Sequence, residues 1–306
     1  MKKYIPLLSA VATSVLFGFS YFAVKLVLAV VGDDTFRLLC IRFIVAALFM
    51  TLLWAVGVLK LNFKGKDCRI LFPCALCSPI CYFIFETFAL RITPSSQVGL
   101  MTSMSPVITM VLAAVIFKDF PTKKQIFYVG MTLLGLLIIN YTGDSSTGGA
   151  LSFLLMFLTI FSGCCSSIAV KYASAQFSPV EIVYSNTCMA AVVFTVIAVV
   201  QGVVGGTMGT FFDGMLTPTF ILGILYLSVG CSIIAFGLNF YNVSKLPLSV
   251  VSSFSAITTV VTILVGVLLL GEPFRLVDGI GTVLILGGVW LMNNSGHEAQ
   301  TRQEQQ

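Results

Sequence analysis

Runs of about twenty consecutive apolar residues return from one end of this chain to the other, and nothing else constrains its folding as much. A bilayer-spanning helix needs ~20 mostly apolar residues. Ten such runs occur, over Ile5–Ala29, Phe36–Val56, Ile70–Leu90, Ser95–Phe117, Gln125–Tyr141, Leu151–Lys171, Val180–Val200, Thr219–Tyr241, Leu248–Leu270 and Leu276–Met292. Because the runs are continuously apolar they read as helices; the strands of a membrane barrel would alternate in segments of ~10 residues. A helix also satisfies every backbone amide within its own segment, as lipid demands. Composition agrees: 9% of the 306 residues are charged and the mean hydropathy is +1.04, where a soluble domain carries about 25% charge. The expected fold class is an all-α polytopic membrane protein with ten transmembrane helices. Lys2 and Lys3 precede the first run in the manner of a secretion signal. With nine further runs behind it, a retained first helix is the simpler reading.

Lysine and arginine set the orientation. With the N-terminus in the cytoplasm, 12 of the 17 fall on inner segments, Lys25, Arg37, Arg91 and Arg275 on outer ones, and Arg42 inside the second span. That bias predicts cytoplasmic termini and explains the net charge of +5 as topology. No basic face for nucleic acid is present.

The two halves of the chain echo each other. "AVK" closes the first span at Lys25 and the sixth at Lys171. A constant offset of 153 then aligns Phe83 with Phe236, Pro94 with Pro247, Ser96 with Ser249, Thr109 with Thr262, Gly135 with Gly288 and Asp119 with Glu272. Five spans per repeat is an odd number, so the second copy enters the membrane from the opposite side. The expected organisation is a first repeat over 1–145, a second, inverted repeat over 146–293 and a polar cytoplasmic tail over 294–306. Inverted repeats are the architecture of secondary transporters, with the substrate near the midplane between them.

The stretches "LFGFSYFAVK" (Leu16–Lys25), "ALRITPSSQVGLMTSMSPVITMVLAAVIFKDFPT" (Ala89–Thr122) and "VSKLPLSVVSSFSAITTVVTILVGVLLLGEPF" (Val243–Phe274) resemble the drug/metabolite transporter superfamily, in particular its ten-span, two-domain EamA-type members. The last stretch ends in the family's Gly-Glu, here Gly271-Glu272, where the first repeat has Lys118-Asp119. The resemblance implies a plasma-membrane carrier, most often an exporter of amino acids or other small metabolites, with a cavity lined by the first four spans of each repeat.

Glu86, in "FIFETFAL", is the residue a greasy span most needs to justify, since a carboxylate near the bilayer centre costs ~2.5–3.5 kcal/mol on insertion scales. It lies ~6 Å below the outer end of its span and Arg42 ~9 Å below the outer end of the preceding one, at 1.5 Å per residue. One reading makes Glu86 a site for an ammonium group or a proton, tuned by Arg42; the other makes the two a structural ion pair. Glu86 maps onto Asn239, and Arg42 falls near Asn186, so polar groups recur without charge in the second half. Ser96, Gly99, Ser103 and Pro106 share one face of the fourth span, and their equivalents Ser249, Ser252, Ala256 and Thr259 recur in the ninth. This stripe either lines a wet cavity or lets helices approach. Tyr82, one turn before Glu86, joins the candidates. Lys25 and Lys171 read as interfacial anchors or as a cationic gate.

The chain has no phosphate-binding loop, no H-E-x-x-H and no nucleophile elbow. The C-x-x-C at Cys74 and Cys77 lacks further ligands at metal spacing, and the only histidine is His297. No catalytic activity, cofactor or metal is expected. The predicted function is secondary transport of a small organic solute, amino acid or related metabolite, outward as the resemblance implies, with a proton at Glu86 if transport is coupled; the other partner is the lipid bilayer. The alternatives are an exchanger of sugar phosphates or nucleotide sugars on the same fold, which would need several intramembrane cations, and an ion channel.

Overall fold

The computed structural model describes residues 5–32, 34–117, 123–142, 149–246 and 248–304. Asp119, Pro247 and the side chain of Ser249 lie outside the described residues. Ten helical stretches result: α1 (Ile5–Val31), α2 (Thr35–Ala55), α3 (Cys68–Ile92), α4 (Ser95–Thr102 and Ser105–Phe117), α5 (Lys123–Thr142), α6 (Gly149–Ala173), α7 (Pro179–Val204), α8 (Pro218–Lys245), α9 (Leu248–Ser253 and Ser255–Leu270) and α10 (Leu276–Glu304). Among the described residues there is no strand. Eight of the stretches are long and apolar enough to cross a membrane. The other two are α5 and α10, whose apolar parts, Ile126–Gly135 and Leu276–Leu291, are shorter. α10 then continues as helix to Glu304, through residues read from sequence as tail.

Helix starts follow local chemistry. Asp34 accepts the Arg37 amide at 3.1 Å and caps α2. Ser178 caps α7 through a reciprocal box, its Oγ accepting from Glu181 N at 3.3 Å while Glu181 Oε2 accepts from Ser178 N at 2.8 Å. Four of the helices are interrupted. α3 widens to a π-helical turn over Leu76–Cys81 and α8 over Tyr226–Ala235. Ser78, just before Pro79, is extended (φ −146°, ψ 123°), which frees carbonyls in the middle of the span. They are taken up by neighbours: Ser162 Oγ donates to Cys77 O at 2.6 Å and Asn186 Nδ2 to Ser78 O at 3.2 Å. Irregular backbone at membrane depth survives only with such partners. In α4 the break falls at Ser103 and Met104, so Pro106 occupies the second position of a new helical segment, where no intrahelical bond is lost.

Apolar side chains gain little by leaving lipid, so close backbone approach and polar contacts hold the helices together. A Cβ on Gly18 would stand 2.6 Å from Val261 Cβ, and one on Gly99 2.6 Å from Thr262 Cβ, which seats α9 against both α1 and α4. α5 packs along α10 with Gly135 against Gly281 O and Gly288 against Tyr128 O, at 2.8 and 2.9 Å from the Cβ each glycine lacks. At the end of the bundle where α1 finishes, Val27, Leu28, Leu38, Leu90 and Val98 pack solidly.

Candidate functional site

A cavity of about 180 Å³ lies between the two halves of the chain, walled by α1, α3, α4, α6, α8 and α9 and by Arg42 of α2. Its lining begins at Ala10 and Thr13 on α1 and at Leu248 and Val251 on α9, the chain ends of both helices that share one side of the bundle. It ends near Glu86. Beyond Glu86 the packed residues Val27, Leu90 and Val98 fill the interior.

Tyr82 and Glu86 are four apart on α3 and so share a face, with Tyr21 of α1 beside them. Tyr21, Tyr82, Glu86 and Arg42 all line the cavity. Glu86 is 3% exposed and Arg42 1%. Arg42 is held by other means than a carboxylate. Its Nε donates to Ser232 Oγ at 3.0 Å and its guanidinium lies over the Phe83 ring at 4.1 Å. Ser228 Oγ donates to the Arg42 carbonyl at 2.8 Å, so two serines of the widened turn in α8 grip one residue of α2. Among the described residues the one ion pair within 4.0 Å is Lys66–Glu181, at 2.7 Å. Glu86 and Arg42 therefore share a cavity without closing a salt bridge on each other.

Five of the sequence-derived candidates line the cavity: Arg42, Tyr82, Glu86, Asn239 and Ser252. The others are placed elsewhere. Asn186 binds the Ser78 carbonyl and borders a small void beside Phe43 and Thr187. Ser103 Oγ lies 2.6 Å from Thr259 Oγ1, and Ser96, Gly99 and Ser103 face α9 and its C-terminal turn. Thr102, Ser105 and Thr109 supply the cavity face of α4, one position round from the stripe read in the sequence. Pro106 opens the second segment of α4 without lining the cavity. Lys25 Nζ donates to Thr93 O at 2.7 Å. Lys171 Nζ donates to Val243 O at 2.8 Å and to Leu246 O at 3.3 Å. Each lysine thus braces the chain just before a proline.

Two features escaped the sequence reading. Tyr21 carries no motif beyond its place in "FGFSYFAVK". Glu272 was legible only as half of a Gly-Glu pair, whereas the structure seats its carboxylate on the start of α4. Ser95 N and Oγ donate to Oε1 at 2.7 and 2.8 Å, and Ser96 N to Oε2 at 2.8 Å. Gly266 leaves the room, since a Cβ there would meet Glu272 Oε2 at 2.6 Å, and Gly271 makes the turn at φ +64°. Burial pushes this carboxyl up, but the donors of Ser96 and Ser95 outweigh it and hold Glu272 below the usual carboxylate range. This contact closes the end of the bundle opposite the cavity mouth.

The chain is 30% identical over 284 residues to the uncharacterized transporter YcxC of Bacillus subtilis, covering 92% of this chain and 90% of that one. It is 24% identical over 201 residues to a probable amino-acid metabolite efflux pump of Salmonella typhimurium, covering 65% and 67% of the two chains. The multidrug resistance protein EbrB of Bacillus licheniformis aligns over 96% of its own length with 38% of this chain, at 30% identity. A solved crystal structure of a protein shares the fold, with a TM-score of 0.67 and 17% identity over 94% of this chain and 96% of that one. The EamA-like transporter family matches twice, over residues 4–141 and again over 150–294, and the chain belongs to that family of transporters.

Proposed function

We propose that this transporter is a secondary carrier of two inverted five-helix repeats, over 1–145 and 146–293, that moves a small amine or amino acid out across the plasma membrane by alternating access, with Glu86 as the site for a proton or an ammonium group. The observation that carries the reading is the shared cavity of Glu86 and Arg42: two buried, opposite charges that do not pair with each other, available to a solute that brings its own. Burying charge at this depth is costly, and a structural pair would have closed.

Contacts that recur at fixed offset support the repeat. Lys25 binds Thr93 O, and Lys171, its counterpart in the second "AVK", binds Leu246 O, 153 residues on from Thr93. Gly135 against Gly281 matches Gly288 against Tyr128 at the same offset. The Phe83 and Phe236 rings, equivalent by the same offset, touch each other at 5.8 Å, as residues on a two-fold axis do. Arg42 reaches the widened turn of α8 and Asn186 that of α3. Ten spans follow if α5 and α10 cross as a pair. With the termini in the cytoplasm, the cavity faces inward and Glu272 closes the outside.

A nucleotide-sugar exchanger is the less supported reading. Among the described residues Arg42 is the sole Lys or Arg lining the cavity, and about 180 Å³ is small beside the ~300–1,000 Å³ of sites for drug-sized ligands. The name of the Salmonella relative favours an amino-acid metabolite.

The test compares wild type with Glu86→Gln in proteoliposomes, using pooled amino acids and amines with and without a pH gradient. Wild-type flux should follow the gradient and the variant, once shown to be folded, should lose that dependence. Equal transport by both at every pH would remove Glu86 from the mechanism.

A further inference from the structure

The cavity has a second polar end that the charged pair does not explain. Asn242 of α8 is 1% exposed and lines the cavity one turn beyond Asn239. Its Oδ1 accepts from Ser9 Oγ of α1. Among the described residues its Nδ2 has no hydrogen-bond partner. Native folds seldom leave a buried donor unmade, and each exception calls for an explanation. The Ser9 contact fixes the amide, and what remains is an unmade donor on a residue that lines a solute-sized space.

Aromatic rings separate this end from Glu86. Phe236 stands edge-on to Phe17 at 5.2 Å, to Phe83 at 5.8 Å and to Phe240 at 5.7 Å, and all four line the cavity. Phe83 is one turn from Glu86 on α3, and Asn242 is six residues beyond Phe236 on α8. At 1.5 Å per residue the two polar ends lie about 13 Å apart along the helix axes. That separation is of backbone positions, and the side chains reach into it from both ends.

We propose that Asn242 is a specificity-determining residue: its Nδ2 receives a carbonyl, ureido or hydroxyl oxygen at the end of the transported solute opposite the amino head that Glu86 takes. The favoured solute is then an amine or amino acid with an apolar middle and a hydrogen-bond-accepting tail. This rests on the reading of the cavity as a solute site.

The probes are citrulline, whose ureido oxygen stands at the far end of the side chain from its amino group, and 2-aminooctanoate, an apolar amino acid of similar length. Their binding to the full-length protein in detergent is measured by titration calorimetry. In Asn242→Leu the ratio of citrulline to 2-aminooctanoate affinity should fall about tenfold, the worth of one hydrogen bond, with 2-aminooctanoate still bound. Glu86→Gln should weaken both probes together and leave the ratio alone. If Asn242→Leu does not fold, Asn242→Asp carries the test: it keeps the acceptor for Ser9, removes the donor and should cost citrulline the same preference. An unchanged ratio in a folded variant overturns the subsite and leaves the carrier reading standing. Failure of wild type to bind either probe overturns the amino-acid reading and the subsite with it.

Discussion

Arg42 shows how much one residue's surroundings decide. A guanidinium 1% exposed in a membrane helix would ordinarily be matched with a carboxylate. Here the Phe83 face and Ser232 hold it, and its fork is left toward the cavity. A desolvated cation–π contact is worth ~2 kcal/mol, and a lysine cannot reproduce the planar stack together with the Nε bond. Arg42→Lys should therefore lower the melting temperature and weaken solute binding about tenfold, whereas Asn186→Gln, away from the cavity, should leave binding near wild type. Fluorescence-monitored melting and the same calorimetry check both. The charge at Arg42 and Glu86 was plain in the sequence. Their relation was not, because facing depends on how α2 rolls against α3 and α8.

At the scale of elements, small residues set the spacing. Gly99→Ala puts a methyl into Thr262 and should cost about 1–3 kcal/mol, as overpacking does, seen as a lower melting temperature in detergent. The sequence reading had this stripe shared between cavity and packing; Gly99 and Ser103 turn to α9 while Thr102 turns inward, a difference of one residue that periodicity cannot resolve. Glu272 makes a pH-dependent contribution of its own. Its carboxyl titrates lower in the folded protein than in the unfolded chain. It stabilises the fold above the unfolded value and loses that effect as pH falls through the folded one. Glu272→Gln should be less stable than wild type by about 1–2 kcal/mol at neutral pH, the range of a helix cap. The two melting curves should converge as pH drops below about 4, the ordinary range of a glutamate. A gap that persists in acid would mean the contact is not charge-dependent.

Across the whole molecule, the cavity lies toward the side of the bundle where α1 begins, and the interior is packed on the other. In a cysteine-free background, Ser14→Cys should react with a membrane-impermeant thiol reagent from the side of the N-terminus alone, and Val27→Cys from neither side. Adding Glu272→Gln should raise labelling of Ser14→Cys from the opposite side, since release of α4 unlatches that end. Reaction of Val27→Cys from both faces in the wild-type background would contradict the packed end. Lys25 and Lys171, read from sequence as interfacial anchors or as a gate, each bind the chain before a proline within their own half.

The number of apolar runs, their helical nature and the family follow from sequence alone, because lipid leaves a polar backbone no alternative to helices and because the Gly-Glu and "AVK" signatures are contiguous. Length was less certain there: α5 and α10 are shorter in their apolar parts than the other eight. What only the tertiary structure decided is which polar groups meet. Tyr21 joins Glu86, Glu272 caps a helix 177 residues earlier in the chain, and Asn242 keeps a free donor at the far end of the same cavity. Such meetings depend on the rotation of each helix about its own axis. That rotation is set by glycines, serines and widened turns packing against distant partners, and a hydropathy pattern that is apolar on every face carries no record of it.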